Sequence, residues 1–194
     1  MKTVERGEIL SIAEYEQIRP HFRARVLAEK RPRRVPIGDF LGATFENHDS
    51  VLLQIQEMLR TERITSESGI AHEIETYNDL IPGEDELSFT LFVEIPDRET
   101  RERMLTELAG LEHAVFVEVM GQRFPATQKL PDAYLPTRTT AVHYFKAQLS
   151  RDAAQALRSG RAEAALLVDH PRCSLRADLQ PPTLSALAAD LSTP

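Results

Sequence analysis

Leu87-Ser88-Phe89-Thr90-Leu91-Phe92-Val93-Glu94-Ile95 carries the clearest period in the chain. An extended backbone sends successive side chains to opposite faces, so Leu87, Phe89, Leu91, Val93 and Ile95 share one face, which has to be buried. Ser88, Thr90, Phe92 and Glu94 take the other. Upstream the period changes from two to that of a helix: over 49–63, Val51, Leu52, Ile55, Met58 and Leu59 form an apolar stripe. Gln54, Gln56, Glu57, Arg60 and Arg63 lie off it. A second helix follows the cap Thr65, with Ile70, Ile74, Tyr77 and Ile81 near one face before Pro82-Gly83 stops it. The short link at 64–66 predicts an antiparallel helical hairpin.

The flanks extend this pattern. Ser11 and Glu14 form a capping box that starts a first helix near Ile12. Pro20 predicts a kink or restart before the helix ends near Lys30. Short strands are expected over 35–37 and 41–46, with Gly38 at the bend. After residue 95 the reading is a helix over 97–109, strands at 115–119, 141–149, 164–169 and 174–179, a short helix over 151–158, and a helix after Pro182. Residues 128–140 read as an irregular loop. Strands follow helices rather than alternating with them, which predicts α+β: helices, the hairpin among them, packed on a mainly antiparallel sheet. A chain of 194 residues is expected to form one domain, helical to about 82, sheet-rich over about 87–180, with a short C-terminal helix.

Composition narrows the function classes. The net charge of −7 argues against indiscriminate binding to nucleic acid or an anionic membrane. A lone cysteine, Cys173, gives no intrachain disulfide, and the longest aliphatic run, 164–168, is far short of the roughly 20 residues that span a bilayer. A cytoplasmic protein is the expectation. Charge is unevenly placed: residues 1–34 hold nine basic and five acidic side chains, whereas 46–86 hold two and eleven. The basic cluster Arg19, Arg23, Arg25, Lys30, Arg31, Arg33 and Arg34 reads either as a solvated, ion-paired face or as a patch for an anion or partner.

Glycine-rich dinucleotide and phosphate loops, a Gly-x-Ser-x-Gly elbow and Cys-x-x-Cys are all missing. His72-Glu73 lacks the second histidine of a zinc-protease helix, because Thr76 stands there. His72 and Glu75 share a helical face and are metal candidates; the other reading is an exposed acidic face. Asp169, His170 and Cys173 could compose an acid–base–thiol set or a strand-ending turn. His143 reads as a hydrogen-bonded core or pocket-edge histidine. The densest polar group is Glu46, Gln54, Glu57, Arg60, Glu62, Arg63, Glu73, Tyr77 and Asn78, which Glu94 joins if it points toward the helices. These residues form either an interhelical ion-pair network or a polar pocket between the hairpin and the sheet.

Several blocks carry a resemblance. They are Tyr15-Glu16-x-Ile18-Arg19, Arg33-Arg34-Val35-x-Ile37-Gly38, Phe45-Glu46-Asn47, the run from Gln54 to Ile64, Tyr77-Asn78-x-Leu80-Ile81-Pro82, Leu91-x-Val93-Glu94-Ile95-Pro96, Ala141-Val142-His143-Tyr144 and Val168-Asp169-His170-Pro171. Over nearly its whole length the chain resembles a bacterial family filed as domain of unknown function thirty-five-oh-one and described as rubrerythrin-associated. That resemblance implies no established activity or cofactor. It implies a setting beside rubrerythrin-like and iron–sulfur oxidoreductases, in peroxide defence or electron transfer. The chain lacks the cysteines and Glu-x-x-His pairs of rubrerythrin itself, so the expectation is an accessory protein that binds a redox partner or a small anionic ligand through the hairpin and the basic first segment. The alternative is a small metal-dependent or acid/base enzyme using Glu57, Glu62, His72, Glu73 and Glu94, with Arg60 or Arg63 holding an anionic substrate.

Overall fold

The computed structural model describes residues 1–129 and 137–192. Helix α1 (Ile12–Lys30) leads through a 3-10 turn (Arg31–Arg33) into β1 (Arg34–Ile37) and β2 (Leu41–Phe45), then the hairpin α2 (His48–Thr61) and α3 (Glu67–Asn78). Strand β3 (Glu86–Val93), α4 (Arg98–Glu107), β4 (Val115–Val119), β5 (Gln122–Pro125) and β6 (Thr127–Lys129) follow. The chain continues with β7 (Val142–Gln148), α5 (Arg151–Arg158), β8 (Ala164–His170), β9 (Cys173–Asp178) and α6 (Pro181–Ser192). The fold is α+β. Instead of one sheet, the strands make two antiparallel sheets, ordered β1-β2-β3-β7-β6 and β5-β4-β8-β9. The edge strands β1 and β9 adjoin, and the edge strand β5 adjoins β7 of the other sheet, so the sheets enclose a common interior.

That interior is the main apolar core. The alternation in β3 delivers Leu87, Phe89, Leu91 and Val93 to it, opposite Val115, Val117 and Val119 of β4 and Leu166 and Val168 of β8. Phe89 sits between Phe45 and Phe145 at centroid distances of 5.6 and 5.5 Å. Each such fully buried ring is worth about 1.5–3 kcal/mol of transfer free energy. Leu105 of α4, Leu157 of α5 and Leu187 of α6 close the same core.

Helices α1 to α3 cover the outer face of the first sheet with two smaller clusters. Val51, Ile55 and Leu59 of α2 meet Ile70 of α3 together with Val4, Ile9, Leu80 and Ile81, while Leu53 on another side of α2 meets Tyr15 and Val26 of α1. The N-terminal segment is strapped to the hairpin by two side-chain amides. Asn78 exchanges hydrogen bonds with the Val4 backbone at 2.9 and 3.0 Å, and Gln56 does the same with Leu10 at 2.8 and 3.3 Å.

Four local expectations change. Pro20 lies inside a continuous α1; it forfeits one amide donor, and the packing of Tyr15 before it and Val26 after it holds the helix together. Ser66, rather than Thr65, caps α3 by accepting from the Gly69 amide. Gln128 and Lys129 belong to a strand because β7 supplies its partner residues, Phe145 and Tyr144; the rest of the expected loop, 130–136, falls outside the described residues. Arg63 is the left-handed residue that ends α2, with φ 54° and the Ile64 amide donating to the Leu59 carbonyl at 2.9 Å. Glycine relieves the steric cost of that conformation, so Arg63→Gly is expected to stabilise the protein by about 0.5–1 kcal/mol in urea unfolding. Unchanged or lower stability would contradict it.

Candidate functional site

The period of β3 also decides what the helices cover. Its second face carries Ser88, Thr90 and Phe92, and the antiparallel register sets Thr44 beside Thr90 and Tyr144, and Lys146 beside Ser88. The layer between this sheet and α1–α2 is therefore polar. At the end of β2, Glu46 enters it with a side chain only 2% exposed. Ser50 donates to its carboxylate at 2.5 Å, Thr90 at 2.6 Å, Gln54 at 3.1 Å and Lys30 at 3.4 Å. Ser50 comes within reach because Asn47 caps α2, accepting from the Ser50 amide at 2.9 Å. A buried carboxylate is tolerated when its lone pairs are used in this way.

Beside this group a cleft of about 450 Å³ opens between the C-terminal half of α1, β1, β2 and α2. One wall is the stripe Arg23, Leu27 and Arg31: the first two share a face of α1, and Arg31, the helical C-cap just after it, continues the spacing of four. Leu53 and Gln54 of α2 form the other wall, and Thr44 and Phe92 lie on the floor. Lys30 and Arg34 add two more cations. Arg34 is held by Glu94 at 2.6 Å and Lys30 leans on Glu46, but Arg23 and Arg31 have no ion-pair partner among the described residues. Both are exposed. They set two uncompensated guanidinium forks along one side of a concave, partly apolar space, an arrangement suited to an oxyanion.

The structure divides the polar constellation instead of gathering it. Gln54 and Glu57 line the cleft, Glu46 lies behind it through Gln54 and Lys30, and Glu94 reaches its rim through Arg34. The bonds of Glu57 and the other residues of the constellation lead elsewhere. Glu57 accepts from Arg19 at 2.7 and 2.9 Å and from the Tyr15 hydroxyl at 2.7 Å, and Arg60 donates to Glu16 at 2.5 Å. The charged side of α2 thus docks on α1 rather than facing α3, because Leu53 seats α1 beside it. Glu62 and Arg63 are exposed at the hairpin tip, Asn78 is spent on Val4, and Glu73 and Tyr77 lie on α3 away from the cleft. Burial, then Tyr144 and Glu73 nearby, push the Tyr77 phenol up to about 12. His72 and Glu75 are exposed, and no group of three His, Cys, Asp or Glu able to hold a metal occurs among the described residues. The missed residues are Leu27, Thr44, Leu53 and Phe92. Their signal was present in the spacing of Arg23, Leu27 and Arg31 and in the polar face of β3.

Other basic residues of the first segment serve the fold: Arg25 pairs with Glu29 and Asp49, and Arg33 with Asp190 of α6. His170 ends β8 and braces the turn that follows, donating to the Ala109 carbonyl at 3.0 Å and accepting from the Arg172 amide at 3.2 Å. Burial raises the neighbouring Cys173 thiol, which disfavours the thiolate a nucleophile requires. His143 is buried and stacks on Phe145, with Thr139 and the Thr140 carbonyl each 3.0 Å from Nε2.

The Arg19 bond holds the Glu57 carboxyl below its ordinary value, against the opposing effect of burial. A depressed folded value stabilises the protein above the unfolded value of about 4.3 and ceases to do so as pH falls through the folded one. Wild-type stability should therefore fall more steeply below about pH 4 than that of Glu57→Gln. Parallel urea-midpoint curves for the two would contradict this.

These features define a two-sheet α+β protein with a basic cleft between its helical layer and the polar face of one sheet. The chain matches the family model described as Protein of unknown function (DUF3501) over residues 3–191, and it belongs to that family. It is similar to a novel protein of unknown function from Burkholderia pseudomallei K96243 with a crystal structure at 1.90 Å resolution. The two share 31% identity, with a TM-score of 0.91 and coverage of 98% of this chain and 100% of the other. No curated protein matches. No helix among the described residues is long and apolar enough to cross a membrane.

Proposed function

We propose that this chain is an accessory protein that binds a small anionic ligand in the cleft between α1 and α2, with the cytoplasm as its expected compartment. The observation that carries the reading is the pair Arg23 and Arg31, two guanidinium groups left without an ion-pair partner in a region where Arg19, Arg25, Arg33 and Arg34 are all paired. The acid/base enzyme reading has less support, because Glu57 is committed to Arg19 and Tyr15, and Glu62, His72, Glu73 and Glu94 do not line the cleft. Calorimetric titration with inorganic phosphate at low ionic strength is expected to show saturable one-to-one binding that weakens as salt is added. Heats that never saturate would refute it.

A rubrerythrin-like or iron–sulfur redox partner is part of the same proposal and rests on the family resemblance. Affinity purification from native cells is expected to recover such a protein. Repeated recovery of none would remove that half of the proposal and leave ligand binding standing.

A further inference from the structure

We infer that the cleft takes a phosphate monoester carrying a planar ring, a ligand of mononucleotide size; this rests on the anion-binding reading above. The charged end of the cleft is concentrated. Lys30, Arg31 and Arg34 fall within five residues where α1 turns into β1, and Thr44 stands directly across from Arg34 in the strand register. Arg23 lies two helical turns away, about 12 Å along the axis, beyond Leu27. Glu46 and Glu94 meet Lys30 and Arg34 but leave Arg31 and Arg23 uncompensated, and a phosphate monoester brings close to two charges and three acceptor oxygens.

A bare phosphate leaves most of the space unused. The volume of about 450 Å³ is walled by Leu27, Leu53 and Phe92, apolar surfaces that gain nothing from an inorganic ion. Phe92 pairs across the strands with Gly42, which offers no side chain to cover it. The Arg34–Glu94 pair lies over Gly42 instead, so close that a Cβ there would stand 2.7 Å from the Glu94 carboxylate. An aromatic floor thus adjoins a guanidinium, the surroundings in which a flat ring bearing an anionic group is held. Gln54 spends its amide nitrogen on Glu46 and keeps its carbonyl oxygen as an acceptor for a ring amino group.

Calorimetry on the full chain with adenosine monophosphate, adenosine and inorganic phosphate as separate probes tests this. The monophosphate is expected to bind at least about tenfold more tightly than either part. Phe92→Leu should weaken the monophosphate about fivefold and leave phosphate unchanged, and Arg31→Ala should weaken both. Phosphate binding as tightly as the monophosphate overturns the inference while sparing the anion site, as does an oligonucleotide binding more tightly than the monophosphate. Absence of binding by every anion removes the underlying reading as well. Should Phe92→Leu lose its native circular dichroism, the wild-type ranking of the three probes decides alone.

Discussion

Glu46→Ala is expected to lower the unfolding free energy by about 2–4 kcal/mol, the largest stability effect of any single substitution in the polar layer. The methyl group leaves the Thr90 hydroxyl facing a void in a site where Glu46 is 2% exposed, and the Ser50 hydroxyl has only the Asn47 carbonyl, at 2.9 Å, to turn to. A buried donor deprived of its acceptor loses its full desolvation free energy, whereas Lys30, 23% exposed, can return to water. Glu46→Gln retains one carbonyl oxygen for Thr90 and should cost about half as much. The substitution also frees Gln54 and Lys30, so anion affinity should change along with stability. Urea denaturation measures the first effect, and a loss under about 0.5 kcal/mol for Glu46→Ala would show that the carboxylate is not the organising group of the layer.

Replacing Arg23 and Arg31 together by alanine should act in the opposite sense: little on the fold, much on binding. Both side chains are exposed and free of ion pairs among the described residues, so stability should stay within about 0.5 kcal/mol of wild type. A charge-assisted hydrogen bond to an oxyanion contributes about 1.5–3 kcal/mol, so losing the Arg31 bond together with the nearby charge of Arg23 should weaken phosphate binding at least about tenfold. Arg19→Ala provides the contrast. It strips Glu57 of its principal partner and should reduce stability without a comparable loss of affinity. Binding that survives in the double variant would place the anion elsewhere.

The elements were legible because they are written in local periods. The alternation of β3, the apolar stripe of α2 and the capping box at Ser11 each act within a few residues, and each appears where its pattern predicts. The candidate site was only half legible. Its cations could be named from the sequence, but which of them stay unpaired depends on distant acids: Asp190 claims Arg33 from 157 positions away and Asp49 claims Arg25 from 24. The charged side of the hairpin reads either as an ion-pair network or as a pocket wall, and spacing does not say which helix it meets: α2 has more than two neighbours, and α1, seated by Leu53, takes Glu57 and Arg60. Ser66 in place of Thr65 and Arg63 as a left-handed cap are shifts of a residue or two that spacing alone does not fix.

The most direct test of the cleft as an anion site is a nuclear magnetic resonance titration of the full chain with phosphate, following the arginine Nε–H signals. The account predicts that Arg23, Arg31 and Arg34 shift together along one saturating curve while Arg98 and Arg103 of α4 stay in place. Shifts centred on α4, or spread evenly over every exposed arginine, would contradict it.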